Sequence, residues 1–194
     1  MKGKKAAYAI SVITLAPVMA LIVATILFFY DAAFFDGWFW YAAVLFFLTL
    51  VPLSAYGLEK IIPAVRVRGR EGERKLAFIM AMVGFTLGLI FALLFHAPRG
   101  PLLIFLTYFF TGISLTLFNL FHIKASGHAC GFIGPVVLLL YCSKFQFWYL
   151  LLLLPVIYWA RMKMKRHTIG ELAVGTLVGI IVPLVSIFLE SLVR

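Results

Sequence analysis

Arg161, His167 and Glu171 follow one another as Arg-x5-His-x3-Glu, and Lys124, Ser126, Gly127 and His128 form a second compact stretch, Lys-Ala-Ser-Gly-His. A histidine and an acid four residues apart fall on one side of a helix. Glu171 can then accept a hydrogen bond from one ring nitrogen of His167. The other nitrogen is left as a lone-pair nucleophile with a fixed direction. His128 offers a second imidazole, suited to general acid work. Ser126 and the Gly127 N–H at a helix start can hold anionic oxygens. Lys124 and Arg161 can neutralise the charge of a phosphoryl group. Each residue also has a plainer reading. Glu171 is well placed to cap a helix N-terminus. His128, among Ser126, Gly127 and Ala129, fits close helix packing. His167 can be an interfacial histidine in a basic loop.

The elements that must position these side chains belong to a membrane. Of 194 residues, 64% are hydrophobic and only 12% are charged, far too little polar surface for a soluble domain. Cys130 and Cys142 sit in apolar runs, which argues for small buried hydrophobes and against a disulfide scaffold or a cysteine metal site. The net charge of +10 is not accompanied by aromatics clustered with the basic residues. It therefore points to membrane orientation or anionic head groups rather than nucleic acid.

Apolar runs long enough to cross a bilayer predict an all-α, polytopic transmembrane helical bundle of about six to seven helices. The expected segments are Ala6–Tyr30, Trp38–Gly57, Leu76–His96, Leu102–Phe121, His128–Cys142, Gln146–Ala160 and Gly170–Val193. The fifth and sixth are short for full spans. The basic Met1–Lys5 leads into a run too long for a signal core, so it reads as a retained first helix. No repeat or linker divides residues 1–194, which form a single domain with two N-terminal helices over 1–57. Gly175-x3-Gly179 predicts a close packing face on the last segment. Trp38, Trp40, Trp148 and Trp159 read as interfacial or lipid contacts.

Alternating crossings place fourteen of the seventeen Lys and Arg on one side, leaving Arg99, Lys144 and Arg194 on the other. The positive-inside rule then puts the basic face, which carries both chemical stretches, in the cytoplasm.

The two stretches resemble two signatures of the type 2 phosphatidic acid phosphatase superfamily, Ser-Arg-x5-His-x3-Asp and Pro-Ser-Gly-His. The resemblance implies that His167 attacks phosphorus to give a phosphohistidine, that Glu171 orients it, and that His128 protonates the leaving group. It implies that Arg161, Ser126 and Gly127 bind phosphate, that no metal or other cofactor is needed, and that residues 58–194 are the catalytic core. Ala125 and Ala160 replace the usual proline and serine, and Glu171 the usual aspartate. The first signature, Lys-x6-Arg-Pro, is absent. Its cations are expected from Arg70 and Arg74, with Lys124 contributing and Lys60 and Arg68 as substitutes. The implied partner is a lipid phosphate or diphosphate, such as a polyprenyl diphosphate, phosphatidic acid or phosphatidylglycerol phosphate. A phosphotransferase, an anion or lipid transporter, and a relative without catalysis remain open alternatives.

Overall fold

Pro17 breaks the first apolar run. In the computed structural model, which describes residues 2–192, helix α1 (Lys2–Ile13) ends near Thr14, and α2 (Ala16–Tyr30) leaves it at 62°. Pro17 has no N–H to offer the carbonyl of Ile13, so the helical ladder stops there. Thr14 Oγ1 turns back to the Ile10 carbonyl at 2.8 Å, and Leu15 adopts an extended conformation. Buried Thr49 donates to the Pro17 carbonyl at 3.0 Å, giving a polar group beside the break its partner. The single helix expected over Ala6–Tyr30 is thus two.

The remaining helices are α3 (Trp38–Ile61), α4 (Pro63–Val67), α5 (Gly69–Leu94), α6 (Arg99–Leu120), α7 (Gly127–Cys142), α8 (Leu154–Lys163) and α9 (Ile169–Leu192). Helix α3 contains a π turn at Phe46–Leu50, just before Pro52, a position where the proline removes a normal backbone bond. A 3₁₀ turn at Trp148–Leu153 runs into α8. The all-α bundle is as expected, and no strand occurs among the described residues.

The count of six to seven membrane helices is corrected. Among the described residues, four helices (α3, α5, α6 and α9) are long and apolar enough to cross a membrane, and a fifth span results if the bent α1–α2 pair is counted as one. With 16 residues, α7 reaches only about 24 Å at the usual rise per residue, short of a hydrocarbon core of about 30 Å. The reason lies in its place. Ala129 to Val136 and Leu138 to Leu140 of α7 are all buried, so protein rather than lipid surrounds the helix. Its unbroken apolar character comes from being the axis of the bundle. The main core packs around it, with Leu27 and Phe35 from the N-terminal region, Leu48 from α3, and Leu103 and Phe105 from α6.

Contacts gather the connections at two ends. At one end Gly100 packs against Phe34, Tyr30 meets the ring of Phe147, and Arg99 Nε lies 2.9 Å from the carboxylate of buried Glu190. Arg99 also donates to the Tyr141 hydroxyl at 3.2 Å. That clasp joins the start of α6 to the ends of α7 and α9. The opposite end carries both sequence stretches. Val193 and Arg194, assigned above to the last segment and to the sparsely charged side, lie outside the described residues.

Candidate active site

The two stretches meet because α7 and α9 pack closely, and glycine makes that approach possible. A Cβ on Gly175 would overlap the carbonyl oxygen of Ser126, and one on Gly179 would overlap the Ile133 side chain and crowd the Cys130 carbonyl. The predicted packing face is therefore real, and it seats the start of α7 against the start of α9. A backbone bond pins the two together, Ser126 N–H to the Glu171 carbonyl at 2.9 Å. Gly175→Ala should push the helices apart, costing about 1–3 kcal/mol by overpacking. Thermal melting in detergent should reveal the loss. A melting temperature equal to wild type would contradict the tight fit.

His167 lies just before α9 rather than on it, yet the expected pair forms. His167 Nδ1 lies 2.8 Å from Glu171 Oε2. With an ionised carboxylate as acceptor, Nδ1–H donates and Nε2 keeps its lone pair. Glu171 Oε2 also accepts the Thr168 N–H at 3.3 Å, while Thr168 Oγ1 accepts the Glu171 N–H at 3.3 Å. This reciprocal arrangement is a capping box. Glu171 is both cap and orienter, so the two readings of it are compatible. The pattern Thr168-x-x-Glu171 was a signal in the sequence that the reading above passed over. Burial holds the His167 pKa below its ordinary value, outweighing the Glu171 hydrogen bond, and the charges of Arg161 and Arg74 add to the lowering. A neutral ring is thereby favoured.

Arg161 ends in the same place. It is 8% exposed. Its Nη1 donates to Ser11 Oγ at 3.1 Å and lies 3.4 Å from His128 Nε2. Its Nε is buried with no hydrogen-bond partner among the described residues. Burial lowers its pKa to about 10, and Arg74 and then Arg70 push the same way. Arg70 and Arg74, exposed at the start of α5, therefore bring their charge to this end of the bundle. Lys60 and Arg66 instead line a separate open cleft with Glu59, Val65 and Glu73.

The other expected residues divide. Lys124 is exposed and within charge range of Glu171. The Gly127 position has open space around it, with only Leu115 at 4.0 Å from a built Cβ. Ser126 is fully buried, and its hydroxyl accepts the Ala129 N–H at 3.4 Å as the α7 N-cap, so it fixes the helix start. Ser11, from the N-terminal helix, was not anticipated, and no local motif marks it. Among the described residues no three His, Cys, Asp or Glu side chains gather as a metal-binding set.

The result is an end of the bundle with several cations, one oriented imidazole, and a buried guanidinium lacking any carboxylate partner among the described residues. That combination suits an anion better than a cation. In comparisons with family models, curated proteins and solved structures, the chain matches none.

Proposed function

We propose that the chain is a lipid phosphatase of the type 2 phosphatidic acid phosphatase kind, acting on a phosphate or diphosphate ester of a membrane lipid. The observation that carries the reading is the pairing of His167 Nδ1 with Glu171 beside a buried Arg161 whose Nε has no hydrogen-bond partner among the described residues. A simple anion site has no need of an imidazole held with its second nitrogen free. Arg161, with Arg70, Arg74 and Lys124, would hold the phosphoryl oxygens.

In the first step His167 Nε2 attacks phosphorus, the bond from phosphorus to the lipid or diphosphate oxygen breaks, and the departing oxygen takes a proton. His128 is the candidate donor. Its Nε2 faces Arg161 Nη1 at 3.4 Å, so it rests as a neutral acceptor. It becomes an acid after taking up a proton once the bound phosphate has offset the charge of Arg161. In the second step water gives His128 a proton and attacks phosphorus, the P–N bond breaks, and inorganic phosphate leaves. An alcohol in place of water would make the reaction a transfer.

The lipid tail would lie between helices with the head group at the basic end. The cytoplasm is the proposed side of that end, because fourteen of the seventeen Lys and Arg fall there when crossings alternate. The test is phosphate release from a panel of lipid phosphates, with EDTA, by protein in detergent and in membrane vesicles of known orientation. Release is expected in detergent and from inside-out vesicles, and latent in sealed right-side-out ones. No release from any lipid in detergent would turn the reading toward an anion or lipid transporter. Activity from sealed right-side-out vesicles alone would reverse the orientation.

A further inference from the structure

We infer that Ser11 is a positioning residue that sets the anion-binding edge of Arg161, and that α1 is thereby one wall of the site. The inference rests on the anion-site reading above and adds a residue about 150 positions away in sequence. The Ser11 hydroxyl accepts from Arg161 Nη1 at 3.1 Å and donates to Met164 Sδ at 3.3 Å. Arg161 Nη1 in turn meets His128 Nε2 at 3.4 Å. Ser11 thus touches the segment that carries Arg161 and, through that guanidinium, reaches His128 of the other stretch.

The fold delivers it there deliberately. Ala7 and Ser11 form the buried face of α1 and Thr14 follows just after its end, all within 6% exposure, while Tyr8, Val12 and Ile13 face outward. Small residues let α1 lie close along α8, with Gly3 near Lys163. The 62° bend lays α1 across this end of the bundle instead of letting it continue α2.

The chemical consequence follows from guanidinium geometry. A phosphate is best held by two parallel N–H groups on one edge. With Nη1 occupied by Ser11 and His128, the Nε edge is the one left for a ligand, and Nε is buried without a partner among the described residues. Ser11 therefore selects which edge of Arg161 faces the anion. A hydroxyl suits this task because it anchors the cation without neutralising it. A carboxylate at the same place would consume the charge.

The probe is inorganic phosphate, titrated calorimetrically into purified protein in detergent, with thermal melting alongside. Ser11→Ala should weaken binding about tenfold, the scale of one hydrogen bond to a charged group. Ser11→Thr, which keeps the hydroxyl, should restore it to within about threefold of wild type. Ser11→Asp should abolish measurable binding without lowering the melting temperature, because the buried Arg161 gains a counter-ion. A purely structural serine would not separate binding from stability in that way. Wild-type affinity in Ser11→Ala, or phosphate binding retained by Ser11→Asp, overturns the role of Ser11 alone. A wild-type protein that takes up no phosphate overturns the anion site itself, and with it this inference.

Discussion

Replacing His167 by alanine is expected to lower phosphate release from lipid phosphates by at least about 10⁴-fold, as loss of a covalent nucleophile does. Binding of inorganic phosphate should change by no more than about threefold, because the cations that hold the anion remain. Wild-type protein quenched during turnover should carry a phosphoryl group that is labile to acid and stable to alkali, and His167→Ala should carry none. Release that survives the substitution would remove His167 from the chemistry. The pH profile adds a check with a definite sign. Attack needs the neutral ring, and burial lowers the His167 pKa while the Glu171 hydrogen bond raises it. The acid limb of kcat/KM should therefore lie below the ordinary imidazole range, with activity lost as pH falls through it. Glu171→Gln removes the raising contribution. It should move that limb to still lower pH while cutting the rate by about 100-fold or more, since the ring loses its fixed tautomer. An acid limb that moved upward would contradict this account of the pair.

What the sequence disclosed, and what it hid, follows from how local each feature is. Apolar runs report helices in a membrane directly, because lipid permits little else, and the bundle was legible for that reason. The His167–Glu171 pair and the Gly175–Gly179 face are set by spacings of four residues, and both were readable. The length of an apolar run does not say whether lipid or protein covers it. Hence α7 looked like a short span and is the buried axis. Pro17 carries a signal for the break after α1, which the long apolar run around it masks. Ser11 is the opposite case. Its meaning lies in a contact with Arg161 made by tertiary packing across 150 positions, and no periodicity within α1 could have revealed a partner. Ser126 shows the same limit from the other side, since its type suggested a ligand contact and its burial makes it a cap.

Arg161→Met is expected to separate binding from stability most sharply. Arg161 is almost wholly buried, and no carboxylate pairs with it among the described residues. Desolvation together with the charges of Arg74 and Arg70 already lowers its pKa to about 10. A buried cation held against like charge costs the fold free energy, and methionine fills much of the same volume without charge. The melting temperature without ligand should therefore stay level or rise. Activity should fall by about 10²–10³-fold, the scale seen when one preorganised donor to a developing anion is lost. The rise in melting temperature that inorganic phosphate gives the wild type should vanish. At a phosphate concentration of about 100 times Kd that rise corresponds to about 2.7 kcal/mol, large enough to read in detergent. Arg161→Lys should behave more like methionine than like arginine, since an ammonium cannot present two parallel N–H groups. If Arg161→Met keeps the phosphate-dependent shift, the anion is held by Lys124, Arg70 and Arg74 instead. The buried guanidinium would then be a strut between α1, α7 and α8, and its removal should lower the melting temperature rather than raise it.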